Sequence, residues 1–321
     1  MNIAILDDFA DFARGLPGFA KLDGHQVTVW TDHTKDVDAL AGRLKDAEAL
    51  ILLRERTPIP AALIERLPRL RLVTINGPCP HVDIAACTRR GVVVSCNLHS
   101  RPSYATAELT WGLVLAAARR IPQEAARLKG GGWQSTVGIG LRGRALGVYG
   151  YGRIGQQVAG YGKAFGMRVL VWARETALAA ARADGCVAVP GKQALFEEAD
   201  VLSVHLRLVP ETRGIITAAD LARMKPTGVF VNTSRAGLVE PGALAAALRA
   251  GRPGFAAVDV FEDEPLGGDG HPLLKMENAV CTPHLGYVER DQLERYFDDQ
   301  FEQVLAFARG SPVNVINPEA L

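Results

Sequence analysis

The residues with chemistry to offer fall in two sets. The first is Gly150-Tyr151-Gly152-Arg153-Ile154-Gly155, with glycines in the spacing G-x-G-x-x-G between an apolar run and a helical pattern. The first glycine lets the chain turn sharply out of a strand. The second lets a pyrophosphate approach the backbone, and the third lets the helix pack close to the sheet. N–H groups at the helix start, with the positive end of its dipole, suit the phosphates of a dinucleotide. The second set is Arg235, Glu264 and His284, each just past an apolar run that reads as a strand. A nicotinamide enzyme needs a group that exchanges a proton with the substrate oxygen and a group that holds an anionic substrate, and these residue types can supply both. Each alone also fits a blander role: a surface ion pair for Arg235, one acid of a solvated turn for Glu264, a hydrogen-bonded loop histidine for His284. Glu262, two residues from Glu264, has the same chemistry on composition alone.

The elements that must position these groups come in two series. Apolar or alternating runs at 2–6, 26–30, 49–53, 72–75 and 92–94 predict strands, with a helical pattern at 37–44 and a proline-marked helix start after residue 57. Residues 76–80, Asn-Gly-Pro-Cys-Pro, predict a loop. A long helical pattern covers 104–120, and Gly130-Gly131-Gly132 then breaks the chain. From the glycine fingerprint onward, strands are expected at 145–149, 168–172, 187–189, 201–205, 228–232, 256–260 and 279–282, with helices at 192–198, 218–224 and 241–250 and an amphipathic one at 291–308. Strands alternating with helices imply right-handed βαβ units and parallel sheets. The expectation is two α/β, doubly wound domains of Rossmann-like or flavodoxin-like type. Residues 1–98 plus 291–321 form a discontinuous substrate domain and 99–290 the dinucleotide-binding domain, with a cleft between them as the place for a ligand.

Composition sets limits on the function classes. A chain of 321 residues with 48% hydrophobic and 22% charged residues has material for about two domains and is not disordered as a whole. A net charge of +1 gives no reason to expect nucleic acid or an anionic membrane as partner. Cys79, Cys87, Cys96, Cys186 and Cys281 contain no C-x-x-C pair, which argues against a disulfide framework and a structural zinc; no metal is expected. The start, MNIAILDDF, lacks the basic region of a signal peptide, and the longest apolar stretch, 109–118, is too short to span a bilayer. A cytoplasmic location is expected. The chain stops soon after the last helix, so no added regulatory domain is expected.

Five ordered motifs carry a resemblance over almost the whole chain: GVYGYGRIG, ADVLSVHLRLVPETRGII from Ala199, MKPTGVFVNTSRAGLVE from Met224, AAVDVFEDEPL from Ala256 and TPHLG from Thr282. The chain resembles the D-isomer-specific 2-hydroxyacid dehydrogenases, which include lactate, glycerate, glyoxylate/hydroxypyruvate and D-3-phosphoglycerate enzymes. The resemblance implies that Arg235 binds the substrate carboxylate and carbonyl, that His284 is the general acid/base, and that Glu264, directly before proline, hydrogen-bonds the histidine. It implies cofactor-side positions for Thr233, Ser234 and Asp259, and an adenine-side or packing role for His205. It also implies that the backbone of Asn76, Gly77, Pro78 and Cys79 holds the substrate carboxylate, although Pro78, Cys79 and Pro80 depart from the family's glycine-rich pattern there and the two prolines remove two donors. Arg54 and Tyr287 are further candidates for the same site or, equally, surface and core-packing residues.

Cofactor choice turns on the second strand of the nucleotide series. NAD-specific proteins place an acid at its end, about 20 residues after the glycines, to bind the ribose hydroxyls. Ala173 stands there, followed by Arg174, which suits a 2′-phosphate, and by Glu175, which restores the acid if the turn is shifted. NAD or NADP is expected, with NADP favoured by Ala173-Arg174. The function expected is an NAD(P)-dependent D-2-hydroxyacid dehydrogenase, working as a reductase of a small 2-oxo acid. The alternatives are an NAD(H)-sensing, corepressor-like binding protein without turnover, a D-3-phosphoglycerate dehydrogenase, and a phosphite or formate oxidiser. A homodimer through the nucleotide-binding domain is a further implication, with Trp133 and the helix from Tyr104 as candidate contacts, although core packing is the favoured role of either.

Overall fold

A computed structural model describes residues 1–98 and 104–321. It divides into two units, Met1–Pro102 with Arg290–Leu321, and Ser103–Glu289.

The first unit is built on short apolar strands: β1 (Asn2–Ile5), β2 (Gln26–Val29), β3 (Ala49–Leu52), β4 (Leu72–Asn76) and β5 (Val93–Asn97). They form one parallel sheet in the order β2-β1-β3-β4-β5. Continuous apolar runs such as Ala-Leu-Ile-Leu in β3 are buried on both faces, which is why they do not alternate. Helices α1 (Val37–Leu44), α2 (Ala61–Ile64) and α3 (Ile84–Arg89) cover the sheet. Asp36 starts α1 by accepting hydrogen bonds from the N–H groups of Asp38 and Ala39 at 2.7 and 3.2 Å. The long helix Arg290–Ala308 returns to this unit and buries Phe297 and Phe301, stacked on one another, each worth on the order of 2–3 kcal/mol of apolar burial.

The second unit carries β6 (Ala145–Tyr149), β7 (Arg168–Trp172), β8 (Val187–Ala188), β9 (Val201–Val204), β10 (Val229–Asn232), β11 (Phe255–Val258) and β12 (Ala279–Cys281). All pair in parallel, in the order β12-β11-β10-β9-β6-β7-β8. The order reverses between β6 and β9, so the ends of those strands mark the switch point where ligands bind in such sheets. Helices α4 (Ala105–Arg119), α5 (Ile121–Lys129), α6 (Arg153–Ala164), α7 (Glu175–Ala183), α8 (Lys192–Glu198), α9 (Ala218–Arg223) and α10 (Ala243–Arg249) complete the unit. One core centres on Phe196, Leu202 and Phe230, the other on Val114, Val148, Val158 and Val171.

The helix expected at 104–120 forms as α4 and ends at Arg120, which sits at φ 57°. The chain then restarts as α5, with Pro122 in its first turn, where its missing N–H would have no helical partner in any case. Two local readings need correction. The loop expected from Asn76 starts instead at Gly77, because Asn76 pairs with Asn97 as the last residue of β4. The expected strand at 187–189 closes after two residues. Of the two candidates for contact or core, α4 is packed into the second core, whereas Trp133 is 71% exposed.

Candidate active site

The glycine turn is built as its chemistry requires. Gly150 has φ 95°, and a Cβ there would lie 2.5 Å from the His205 carbonyl oxygen. A Cβ on Gly155 would meet the Gly150 carbonyl oxygen at 2.2 Å, so the helix can approach the turn only without a side chain. Gly152 faces open space, and it begins α6 with no side-chain cap and no acid in the first turn. Those three facts fit a pyrophosphate: the position where it would lie is clear, and the first N–H groups of α6 have no side chain capping them. Tyr151 turns away into the core, where its hydroxyl donates to Asp184 at 2.8 Å, so only its backbone is available to a ligand. Arg153 is exposed and Ile154 packs on the second core.

At the end of β7, Ala173 carries no acceptor and Arg174 is exposed at the start of α7. The Glu175 carboxylate accepts from the Arg182 guanidinium at 2.8 Å. His205, at the switch point, bonds Ser203 Oγ through Nε2 at 2.9 Å, and burial pushes its pKa down to about 4. Thr233 Oγ1 shares a 2.7 Å hydrogen bond with Thr110 Oγ1, and Ser234 Oγ donates to the Val204 carbonyl at 2.8 Å. These two hydroxyls join the end of β10 to α4 and to β9.

Arg235 follows directly. Its backbone carbonyl accepts from Asn232 Nδ2 at 3.0 Å, and its guanidinium donates to the Ser234 carbonyl at 2.8 Å. His284 and Glu264 are brought together from separate loops: Nδ1 of the imidazole lies 2.5 Å from Glu264 Oε2, both side chains about four-fifths buried. The other oxygen of Glu264 accepts from the Phe261 N–H at 2.9 Å, which fixes the carboxylate plane. Glu262, indistinguishable by composition, instead faces His271 at 3.2 Å and is exposed. The Tyr287 ring is buried edge-on to the imidazole, with centroids 5.7 Å apart.

The residue with the largest share in the geometry is Asp259. Its fully buried carboxylate accepts from Thr282 Oγ1 at 2.6 Å, the Leu285 N–H at 2.7 Å and the Gly286 N–H at 2.8 Å. It therefore holds both sides of the loop that carries His284, a residue at φ 53°. Burial raises its pKa, opposed by the three donors and by the nearby His284. The sequence shows an aspartate at a strand end; nothing in it reveals that the partners lie more than 20 residues on.

In the first unit, the loop after β4 is tied down from several sides. Asn76 Nδ2 and Asn97 Nδ2 both donate to Asp299 Oδ2, at 3.0 and 2.8 Å, and the Gly77 N–H donates to the Asn97 carbonyl at 3.0 Å. The Arg54 guanidinium lies against Gly77, 3.6 Å from where a Cβ would be.

A glycine turn at a sheet reversal, with a carboxylate-held histidine elsewhere on the same sheet's loops, is equipment for dinucleotide-dependent oxidation and reduction. Residues 111–286 match the family described as D-isomer specific 2-hydroxyacid dehydrogenase, NAD binding domain. A glyoxylate reductase from Aeropyrum pernix is 37% identical over 310 residues, covering 92% of this chain and 91% of that protein. A D-3-phosphoglycerate dehydrogenase from Methanocaldococcus jannaschii is 38% identical over 296 residues, 91% of this chain but 55% of that protein, so the chain spans about half of it. A solved oxidoreductase structure from Ralstonia solanacearum is 52% identical, with TM-score 0.95 over 100% of this chain and 98% of that one. The chain belongs to the D-isomer-specific 2-hydroxyacid dehydrogenase family. It is an oxidoreductase that acts on a CH–OH group and carries the family's NAD-binding domain.

Proposed function

We propose that this protein reduces a small 2-oxo acid to its D-2-hydroxy acid, with His284 as proton donor, Glu264 as the carboxylate that orients it and Arg235 as the substrate's cationic anchor. The observation that carries this reading is the Glu264–His284 pair at 2.5 Å. With Nδ1 engaged by Glu264, Nε2 is the atom that exchanges a proton with the substrate oxygen. The carboxylate on Nδ1 fixes the orientation of the ring, and a placed proton donor of this kind contributes roughly 10²- to 10⁴-fold to rate. Arg235 offers a planar fork of donors that matches a carboxylate and polarises the adjacent carbonyl. A dinucleotide, when bound, would supply or accept the hydride; the turn from Gly150 to Gly155 would hold its pyrophosphate, Thr233 and Ser234 would line it further along, and Asp259 acts by holding the His284 loop.

The first unit, with Arg290–Leu321, takes the role of substrate domain. In its loop, Pro78 and Pro80 offer no N–H and that of Gly77 is taken, so the Cys79 amide is the candidate donor to the carboxylate, with Arg54 alongside. NADP is favoured over NAD: Ala173 offers the ribose no acceptor, Glu175 is engaged by Arg182, and Arg174 is exposed to meet a 2′-phosphate. The exposed apolar residues Ile121, Leu128, Trp133 and Val137 support a homodimer through the nucleotide-binding unit, which light scattering would check. Cytoplasmic residence agrees with free cysteines and with the absence, among the described residues, of a helix long and apolar enough to cross a membrane.

The test is oxidation of NADPH and NADH, followed by absorbance, with glyoxylate, hydroxypyruvate, pyruvate and a bulky aromatic 2-oxo acid. A clear rate with one acid supports the reading and names the substrate class. Tight cofactor binding with no rate on any acid replaces it with a dinucleotide-sensing role.

A further inference from the structure

We propose that the hydrogen bond from Tyr151 to Asp184 is a tether that keeps the glycine turn in the shape a pyrophosphate needs, which makes both residues positioning residues for the dinucleotide, acting through the backbone. The inference rests on the reading of residues 150–155 as the pyrophosphate site. Tyr151 stands between Gly150 and Gly152, where the glycine spacing itself demands no particular side chain. Its ring is 4% exposed and packs in the core that also holds Val158 and Ala159 of α6 and Leu178 and Ala181 of α7. Phenylalanine would fill that space equally well, so the hydroxyl needs a reason of its own. Its partners supply one: it donates to Asp184 Oδ2 at 2.8 Å, with Cys186 Sγ 3.5 Å away. Burial, and after it Cys186 and Asp184, push the phenol's pKa up, so the hydroxyl keeps its proton and is the donor.

Asp184 is built in as an anchor. It ends α7, where its own N–H donates to the Ala180 carbonyl at 2.9 Å. Its carbonyl accepts from Lys163 Nζ, in the last turn of α6. One residue therefore receives a bond from just before α6 begins and another from where α6 ends. Together they fix α6, whose first N–H groups suit the phosphates, against α7, which begins directly after Arg174. The main chain of the turn is held on the same side. The Gly150 N–H donates to the Trp172 carbonyl at 2.9 Å, and the Tyr151 carbonyl accepts from Gln156 Nε2 at 3.4 Å.

The next residue, Gly152, faces open space and has no side chain to hold it. Glycine backbone is the most costly to order, and a ligand that must order it loses affinity. The tether orders the turn before the ligand arrives. Without the hydroxyl, Asp184 is left exposed to water, so the fold loses little, while the turn regains freedom that the dinucleotide must remove again.

The experiment is fluorescence titration of NADH and NADPH on the whole protein, with ADP-ribose and adenosine as competitors. ADP-ribose carries the pyrophosphate and adenosine carries no phosphate. In Tyr151→Phe, the Kd for NADH, NADPH and ADP-ribose should each rise by roughly threefold to tenfold, the worth of one hydrogen bond, with adenosine unchanged. Asp184→Ala should show the same rise, and the double variant no further one. Asp184→Asn keeps an accepting oxygen and should stay within about twofold of the parent. An unchanged Kd for ADP-ribose in Tyr151→Phe overturns the tether. An equal rise for adenosine overturns it too, because that marks a general loosening of the unit. ADP-ribose that binds the unmodified protein no better than adenosine would instead remove the pyrophosphate reading of the turn, and the proposal with it.

Discussion

Substituting Asp259→Asn asks how much of the site depends on one buried carboxylate. Three donors face its two oxygens, and the shape of the side chain is kept by asparagine. An amide has one accepting oxygen, so its NH₂ must confront at least one former donor. The least costly orientation keeps the oxygen on Thr282 and Leu285 and leaves the Gly286 N–H facing the NH₂, unsatisfied and buried. An orphaned buried donor costs about 1–3 kcal/mol, and converting two charge-assisted hydrogen bonds to neutral ones costs roughly another 1–2 kcal/mol. Against this, burial disfavours the charge that the substitution removes, which offsets part of the loss. The net expectation is about 2–3 kcal/mol, or roughly 5–10 °C in Tm for a unit of this size. Released from Gly286, the loop lets His284 leave φ 53° and loosens its pairing with Glu264. We expect kcat to fall by about tenfold to hundredfold, since small misplacements of a proton donor are costly, while the Kd for NADPH changes little. Thermal denaturation and steady-state kinetics on the same preparation measure both. A variant with the parent's Tm and kcat would show that the carboxylate does not hold the loop.

Other consequences are as specific. Gly155→Ala places a methyl 2.2 Å from a backbone oxygen that cannot swing aside; equilibrium denaturation should show a loss of about 1–3 kcal/mol, and fluorescence titration weaker binding of either nucleotide. Arg174→Ala should raise the KM for NADPH by roughly tenfold to hundredfold, the worth of a charged pair on phosphate, with the KM for NADH nearly constant; equal change for both nucleotides would count against a 2′-phosphate contact. His205 has a folded pKa of about 4 against an ordinary 6.5, so the folded protein binds fewer protons than the unfolded chain between those values. Its contribution is therefore complete above pH 6.5 and lost as pH falls toward 4, up to about 3 kcal/mol. His205→Gln should flatten that part of the stability profile in denaturant titrations across the range.

Much of the fold is legible because parallel strands buried on both faces must be short continuous apolar runs, as in Ala49–Leu52 and Val201–Val204. The glycine turn is legible for a related reason: Gly150 and Gly155 answer steric demands that other residues cannot meet. Long-range geometry is what the chain order hides. Glu262 and Glu264 differ only in which histidine the turn delivers to each, His271 or His284. Asn76 is anchored by Asp299, 223 positions away, so its side chain is committed to the fold. Asp259 is the clearest case, a strand-end acid whose meaning is supplied entirely by a loop that comes later in the chain.

The central claim is that His284 carries the proton that accompanies hydride transfer. His284→Asn tests it directly, in single-turnover oxidation of NADPH with the best oxo acid of the panel and parallel fluorescence titration of the nucleotide. The account predicts that turnover all but disappears while nucleotide affinity stays at the parent's value. Turnover within a few-fold of the parent's would mean that another group delivers the proton, and the Glu264–His284 pair would have to be reassigned.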